Sequence, residues 1–577
     1  MTRRLVSPLV LTCAMAAALR LVGLQYGLPA VYNPDEVAIM ARALSFARGT
    51  LNPENFLYPT FYFYVLFAWV GVYLAMVWAT GRVESLGALQ RLYFTDPIGI
   101  YTAGRLLGVV TGTATIAFLF RLGQRLLDRK TAIAAAIFLA VAPLHVRDSH
   151  YVKHDVPATF AIVLAYLAIS RVWPCAAPIG PSRRDTLVAG ALCGVAFSTH
   201  YYCIFLAIPL AIAVVQGWRP KGLRVSAAQL VVAAAASAVV FFALSPFILV
   251  EPLTAWRDIT ANRQIVIDRA VSTGAFAPAS RYLEMLWVDA VGQPVALLAA
   301  AGVIGMLLAS PAQAVLLLAF PLPFLFFISN TAPASRYLNP ILPFVALFAA
   351  WAVAQLSARF GSRPAVFWVA VAIASAPALR SSINADLFLR QTDTRTLAQA
   401  YIESNLPSGA TILTQPYSAA LTPSKAGLGE ALTRNIGSVE AASIKFRLQL
   451  SLNPYPEPSY RLIYLGRGGL DAEKIYVDPA SLTTMEGLEA LKRLGVAYVL
   501  IKRYNKPDPE TQPFLTVLAR EGRRLAAFSP YRPGLDEAEQ MRIDPFLHNT
   551  DARIDKALER PGPPLELWQI DGQGPKR

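Results

Sequence analysis

The sequence predicts an all-α polytopic membrane protein with about 11 transmembrane helices, followed by a C-terminal α/β domain. Of its 577 residues, 55% are apolar and only 15% are charged, and the mean hydropathy is +0.44. Soluble proteins average roughly 25% charged residues, so an ordinary soluble enzyme and a disordered chain are excluded. Beyond residue 380, charges and turn residues become frequent. We therefore expect a membrane domain at 1–380 and an α/β domain at 381–577.

Basic residues are in excess, and the formal net charge is +15. A basic chain invites comparison with nucleic-acid-binding proteins. Here, however, Lys and Arg lie mostly between apolar stretches, as in the short cytoplasmic loops of membrane proteins. The charge therefore indicates membrane topology, and we expect no nucleic-acid partner.

Apolar stretches long enough to cross a bilayer, which needs about 20 helical residues, recur through the first 380 residues. They lie near 9–29, 59–80, 101–122, 131–147, 156–173, 186–218, 227–250, 291–309, 312–330, 340–358 and 365–380. The 186–218 stretch is too long for one span, and polar residues interrupt it at 198–202. We expect two short spans there, with the polar break on the outer face.

Short basic loops fix the orientation if all of them are cytoplasmic. They lie near 3–4, 121–130, 171–184, 219–224 and 359–363. An even number of crossings must then separate the N-terminus from 121–130, yet three apolar stretches intervene. We expect 59–80, which is rich in Tyr and Phe, to be an interfacial or re-entrant helix; the alternative is a true span there and one misplaced loop. The first interpretation leaves eleven spans and an outer C-terminus.

Two segments of the C-terminal part follow a helix–turn–strand pattern. Thr394–Asn405 is typical of a helix; a Pro-Ser-Gly turn follows it, and 410–413 is typical of a strand. Segments 486–494 and 496–501 repeat this order. The repetition predicts an α/β domain on the outer face.

Ionisable residues collect at the outer ends of the spans, where burial costs several kcal/mol unless they are paired or hydrated. Asp35 and Glu36 follow the first span; the alternative to a functional role is a helix cap made by Asn33 or Asp35. His200 lies at the polar break between two spans, where a hydrogen-bonded structural histidine is the alternative. Arg336 begins a later span.

The segment 145–155 holds three of the five histidines of the chain. His150 and His154 are four residues apart, and Asp155 follows them. This spacing suits a divalent metal, but also a phosphate-binding cluster with Lys153 and Arg147, or a hydrated interfacial loop.

Arginines also occupy the preceding outer loop, 250–289, at positions 257, 263, 269 and 281. Arginines on the outer face oppose the positive-inside rule, and an anionic ligand there would explain them.

Carboxylates and cations beside an apolar body can perform one kind of chemistry together. A carboxylate can act as general base toward a hydroxyl, cations can hold a phosphate leaving group, and the membrane can hold a lipid tail. A lipid-phosphate-linked sugar is the donor that needs all three. The alternatives are a transporter or flippase for a lipid-linked saccharide and a non-catalytic subunit of cell-envelope assembly.

Several short motifs occur in a fixed order over about residues 1–415. They are Pro34-Asp-Glu36, Tyr58-Pro59, Arg105 to Gly108, Ala142-Pro143 with His150 and Asp155, Gly194 to His200, Arg336-Tyr337 with Pro340 and Pro343, and Asp393-Thr-Arg395. Their order resembles the GT-C superfamily of polyprenyl-phosphate-sugar-dependent glycosyltransferases. It is similar to glycosyltransferase family 39, which includes the protein O-mannosyltransferases and the lipid A aminoarabinose transferase. The sequence has no Trp-Trp-Asp signature, which argues against the oligosaccharyltransferase branch.

The resemblance implies a GT-C fold and inverting transfer of a sugar to a hydroxyl of a glycolipid, polysaccharide or protein. It implies that Asp35 is the general base, that Glu36 supports it, and that Asp155 contacts donor, acceptor or metal. Arg105 would steady the first outer loop. Contacts to donor phosphate or substrate are expected from Tyr58, Arg105, His150, Lys153, His154, His200, Arg336 and Tyr337.

One of these positions departs from the family pattern. His200 stands where relatives often carry Lys for the donor phosphate, and a neutral His binds phosphate less well. No cofactor is required by the resemblance, although a divalent metal (Mg, Mn or Zn) is an open alternative. The expected location is the plasma (inner) membrane, with the site and the C-terminal domain extracytoplasmic.

Overall fold

The computed structural model describes residues 7–174, 180–263, 277–361, 363–469, 471–482, 485–503, 509–547 and 554–570. The chain forms a helical body followed by a six-stranded sheet with flanking helices. The helices of the first part are α1 (Pro8–Leu21), α2 (Pro34–Ser45), α3 (Phe61–Ala79), α4 (Leu86–Thr95), α5 (Ile98–Leu126), α6 (Arg129–Ala140), α7 (Pro143–Asp148), α8 (Asp155–Val172), α9 (Arg183–Thr199), α10 (Ala207–Trp218), α11 (Leu223–Leu244), α12 (Phe247–Val250), α13 (Pro252–Arg263), α14 (Ala277–Met285), α15 (Gln293–Ala309), α16 (Pro311–Leu318), α17 (Pro321–Ile328), α18 (Leu342–Arg359) and α19 (Pro364–Leu389).

Several helices of the body have the length and hydropathy of membrane spans. Among the described residues, 8 helical stretches are long and apolar enough to cross one, and α1 and α15 are shorter apolar helices. Helices α6 and α9 pack within the same body. The chain is therefore a multi-pass membrane protein, as the composition predicts.

Two hydrogen bonds join ends of helices that are not consecutive in sequence. Arg20, near the end of α1, donates a hydrogen bond to the carbonyl of Ala140 at the end of α6. At the opposite end, Gln313 in α16 donates to the carbonyl of Leu126, the last residue of α5. The number of eleven spans stays a prediction: among the described residues, the eight stretches with the length and hydropathy of a span include α3, and α1, α6, α9 and α15 are shorter helices. The break expected in 186–218 falls at His200, between α9 and α10.

Helix α3 has the length and hydropathy of a span, but its contacts place both of its ends on one side of the body. Thr60, just before it, bonds to the residue that ends α11. The indole of Trp69 donates to the carbonyl of Ala103 near the start of α5. Arg91 of the next helix, α4, donates to the carbonyl of Pro454 in the C-terminal part. These contacts favour the interfacial or re-entrant interpretation of 59–80.

The sheet has the strand order β3-β2-β1-β4-β6-β5. The strands are β1 (Thr411–Thr414), β2 (Arg461–Leu465), β3 (Ile475–Val477), β4 (Val496–Lys502), β5 (Arg523–Phe528) and β6 (Leu565–Gln569), and the helices are α20 (Thr394–Asn405), α21 (Lys425–Ile436), α22 (Ile444–Leu450), α23 (Met485–Arg493), α24 (Gln512–Glu521) and α25 (Glu537–Gln540). Strands β1 to β4 are parallel, and β6 is antiparallel to β4 and β5. The predicted helices and strands at 394–413 and 486–501 are present, and α19 continues through the expected boundary to Leu389.

Candidate active site

A cavity of about 10 Å³ lies where several spans end, on the side of the body that carries the sheet. It is lined by Asp35, Ile39, Tyr58, Lys153, His154, Asp155, His200, Arg336 and Tyr337. Eight of these residues are among those the sequence predicts for the site. Ile39 was not predicted as a site residue, because an apolar residue on an amphipathic helix is normally assigned to the hydrophobic core.

Asp35 lies in the first turn of α2, where Asn33 caps the helix by accepting a hydrogen bond from the Asp35 amide at 3.1 Å. The capping alternative therefore applies to Asn33, and the Asp35 carboxylate lines the cavity. Its Oδ2 lies 2.8 Å from Lys153 Nζ and 3.8 Å from Arg336 Nη1. The Asp35 side chain is 43% exposed, whereas that of Lys153 is buried.

Lys153 and Asp155 flank the cavity from the start of α8. Both are buried, and each faces the charge of Arg336. Burial and the Arg336 charge lower the pKa of Lys153, while Asp35 and Asp155 raise it. The cavity thus holds two carboxylates and two cations in a setting where water screens them little.

Aromatic rings form one wall. Tyr58 stacks on His154 with ring centroids 4.3 Å apart, and His200 meets the edge of Tyr58 at 5.3 Å. Burial first, and then the charge of Arg42, lowers the pKa of His154 to about 3. Burial also lowers the pKa of His200 well below its usual value. Both imidazoles are therefore neutral near pH 7, and His200 does not supply the positive charge of a Lys at this position.

A buried polar network holds Arg336 in place. Asp148 accepts hydrogen bonds from Asn339 at 2.6 Å and from Arg147 at 3.1 Å. Arg147 also donates to the hydroxyl of Ser335, the neighbour of Arg336. Arg147, weighed above as a phosphate ligand, therefore positions the loop instead. Sequence reasoning gave Asp148 and Asn339 no role, although an acid beside an arginine at the end of an apolar segment was a usable signal.

Glu36 and Arg105 do not line the cavity, so the expected substrate contact of Arg105 is not seen, whereas their contacts fit the supporting roles that the resemblance implies for both. Arg105 makes a bidentate pair with Glu36, at 2.9 and 2.8 Å, and both side chains are buried. Arg105 also donates to the carbonyls of Leu24 and Tyr26, and Glu36 accepts from the amide of Val152. The pair ties the first outer loop to the backbone beside Lys153, so its geometry supports positioning rather than substrate contact.

His150 also lies apart from the cavity. Its Nε2 is 2.7 Å from the carbonyl of Val22, and its Nδ1 is 2.9 Å from the carbonyl of Val146. The expected contact of His150 with substrate is thus replaced by backbone hydrogen bonds. Among the residues that the structure describes, no group of three or more His, Cys, Asp or Glu side chains is placed to hold a metal ion.

The arginines of the outer loop before Arg336 are not gathered at the cavity either. Arg257 and Arg281 pair with Asp258 and Glu284, respectively. Arg269 and the side chain of Arg263 lie outside the described residues.

Residues 100–249 match the sequence model of a family described as dolichyl-phosphate-mannose-protein mannosyltransferase. A search of curated protein sequences gave no significant match. Among solved structures, ArnT from Cupriavidus metallidurans bound to undecaprenyl phosphate superposes with a TM-score of 0.50 at 14% identity, covering 98% of this chain and 99% of that one.

Two further structures are less similar. The oligosaccharyltransferase AglB from Archaeoglobus fulgidus, in complex with an inhibitory peptide and a dolichol-phosphate, has a TM-score of 0.47 at 11% identity over 86% of this chain and 69% of that one. The Pmt1–Pmt2 complex of S. cerevisiae bound to the sugar donor has a TM-score of 0.31 at 18% identity over 44% and 34%. The likeness to ArnT shows the fold.

Proposed function

We propose that this chain, a membrane glycosyltransferase of the GT-C type by its family match and its fold, moves a sugar from a polyprenyl-phosphate donor to a hydroxyl acceptor. The observation that carries the proposal is the contact of Asp35 with two cations, Lys153 and Arg336, in one cavity at the ends of the spans. The acceptor class is a glycolipid, a polysaccharide or a protein.

The two cations are the candidate phosphate ligands. An ammonium and a guanidinium both form strong, charge-assisted hydrogen bonds to phosphate. Lys153 and Arg336 approach the same oxygen of Asp35, so a phosphate group could take the place of that carboxylate. At about 10 Å³ the cavity has room for about one water molecule, so donor binding must also move the surrounding side chains.

Release of Asp35 from the cations supplies the base. Its carboxylate takes the proton of the acceptor hydroxyl, and the acceptor oxygen forms a bond to C1 of the sugar from the face opposite the phosphate. The bond between C1 and the phosphate oxygen breaks, and polyprenyl phosphate leaves with its negative charge held by Lys153 and Arg336. The configuration at C1 inverts. The ring of Tyr58 and the neutral His154 offer a flat wall to the sugar.

The charges at the far end of the body support an outward-facing cavity. Basic residues such as Arg125, Arg171 and Arg359 lie at the helix ends opposite the cavity. Positive charge favours the cytoplasmic side. The cavity and the α/β domain would then face outward from the plasma membrane.

The test is release of polyprenyl phosphate in proteoliposomes supplied with a panel of polyprenyl-phosphate sugars. Asp35→Asn is expected to reduce release by about 10²–10⁴-fold, the usual contribution of a general base. Asp96→Asn, which changes an exposed carboxylate outside the cavity, is the matched control. Release from Asp35→Asn at the native rate would remove Asp35 from the mechanism. Donors that cross the bilayer unconsumed would indicate a flippase.

A further inference from the structure

The parallel part of the sheet has a topological switch point between β1 and β4. From β1 the chain continues to β2 and β3 on one side, and it then returns to β4 on the other side. Open α/β sheets bind ligands in the crevice at the carboxyl ends of the strands at such a point. In this sheet that position lies at the residues that end β1 and β4, and a crevice for a ligand is expected there.

Two buried hydroxyls lie beside this crevice. Thr414 ends β1, and Ser418 follows in the next loop; they are 3% and 7% exposed. Within the described residues, neither Oγ1 of Thr414 nor Oγ of Ser418 has a hydrogen-bond partner. An unsatisfied buried hydroxyl costs about 1–3 kcal/mol, so a ligand that bonds to it regains that free energy.

Lys502 ends β4 on the same face of the sheet. Side chains alternate along a strand, so Thr414 shares a face with Ile412, and Lys502 shares that face with Leu500. Lys502 Nζ donates to the carbonyl of Pro416 at 2.6 Å, between the two hydroxyls in sequence. Burial and the nearby charge of Arg395 lower the pKa of Lys502 to about 8. Two neighbouring cations favour an anion between or beside them.

Tyr417 lies in the same loop, directly before Ser418. It is 64% exposed, and its φ is 60°, a conformation that non-glycine residues seldom adopt and that is often found at ligand sites. An exposed ring beside hydroxyls and an ammonium is a typical surface for the apolar face of a sugar.

The carboxyl edge of the sheet is the edge from which α20 contacts the membrane body. Helix α20 begins at the carboxyl edge of the sheet, because Thr394 donates to the carbonyl of Pro563 just before β6. Arg395 then reaches the membrane body: its guanidinium donates to the hydroxyl of Tyr26 and lies 3.8 Å from the ring centre of Tyr32. Tyr32 precedes Asp35 by three residues.

We propose that this crevice binds an acidic sugar of the acceptor, with the anionic group on Lys502, sugar hydroxyls on Thr414 and Ser418, and the sugar face on Tyr417. Its use as an acceptor subsite rests on the proposed function; the binding itself does not. A sugar bound there would lie on the side of the domain from which α20 contacts the loop that leads to Asp35.

The experiment measures binding to the full-length protein in nanodiscs by calorimetry. The probes are digalacturonic acid, glucose 6-phosphate and neutral maltose; the first two distinguish a carboxylate from a phosphate as the anionic group. The variants are Lys502→Met and the double variant Thr414→Val with Ser418→Ala. Exposed residues of the same domain supply the controls, Lys492→Met and Thr516→Val.

We expect at least one acidic probe to bind and maltose to bind at least tenfold more weakly. Lys502→Met and the double variant should each lose at least tenfold in affinity for that probe, while the controls and Asp35→Asn bind as the native chain does. Without ligand, the double variant should be no less stable than the native protein, because it removes hydroxyls that have no partner. Maltose binding as well as the acidic probes, or native affinity in both variants, overturns the proposal. Acidic-sugar binding by a chain without transferase activity supports the crevice and counts against the proposed function.

Discussion

Replacing Arg105 by Gln should destabilise the protein rather than weaken a substrate contact. The resemblance implies two roles for Arg105, steadying the first outer loop and contacting the substrate, and the structure places it in a buried pair with Glu36, away from the cavity lining. The two interpretations differ in what the substitution changes. If Arg105 contacts the substrate, its loss should raise KM for the donor. If it belongs to a buried pair, its loss should lower the free energy of unfolding.

The magnitude follows from the contacts. Arg105→Gln removes both bonds to Glu36 and the two bonds to the carbonyls of Leu24 and Tyr26. Glu36 keeps only the bond from the amide of Val152 among those described. Removing one partner of a buried ion pair costs about 3–5 kcal/mol, because the remaining charge stays buried without compensation. Adding Glu36→Gln should recover part of that loss, with a coupling of about 0.5–3 kcal/mol.

The assay is SDS titration of the purified protein in mixed micelles, together with donor turnover on the fraction that remains folded. Arg257→Gln is the control, because that side chain is 71% exposed although it also pairs with an acid. A loss below about 1 kcal/mol, the range of an exposed pair, together with a raised KM would refute the structural interpretation and restore Arg105 as a substrate contact.

Three further predictions concern the cavity and the contact between Arg395 and Tyr32. Lys153→Met should weaken polyprenyl-phosphate binding by roughly tenfold to a hundredfold, since a hydrogen bond to a charged group contributes about 1.5–3 kcal/mol; displacement of a labelled donor measures it. Arg395→Met should lower kcat with donor KM unchanged, because it removes the cation over the ring of Tyr32. Tyr32→Phe keeps the ring and loses only the bond to Thr396, so it should retain most activity. The pKa of His154 is about 3 in the folded protein and about 6.5 in the unfolded one, so stability is highest above pH 6.5 and falls as the pH falls. Between pH 7 and pH 5 the free energy of unfolding should drop by about 2 kcal/mol. SDS titrations at the two pH values should show this drop in the native chain and not in His154→Phe.

The transmembrane architecture could be predicted because hydropathy and loop charge determine directly which segments cross a membrane. Apolar stretches predict the spans, and the positive-inside rule requires that one of the first three does not cross. The Tyr and Phe content then favours 59–80, although its length and hydropathy are those of a span. The α/β domain was readable at Thr394–Asn405 because the turn signals there are strong. The order of the six strands was not predicted, since strand pairing depends on contacts distant in sequence.

The site was predicted as a set of residues but not as a geometry. Asp35 and Glu36 are adjacent acids in the first turn of one helix, where successive side chains point about 100° apart. One therefore faces the cavity and the other the body, and the sequence does not say which. His150 and His154 are four apart, but helix α7 ends before them and α8 begins at Asp155, so the spacing does not place them on one helical face.

The contact between Asp35 and Lys153 couples donor binding to the base, and this coupling has a testable sign. If phosphate must displace the carboxylate from Lys153, then removing the carboxylate's charge should strengthen donor binding while it abolishes turnover. The pair is half exposed on the Asp35 side, so its contribution is that of a partly screened ion pair, about 0.2–1 kcal/mol, or about 1.4- to fivefold in affinity. Asp35→Asn should therefore bind polyprenyl phosphate more tightly than the native chain, by up to about fivefold, measured by displacement of a labelled donor. Equal or weaker binding by this variant would show that phosphate and carboxylate do not compete for Lys153, and the base would then need another means of release.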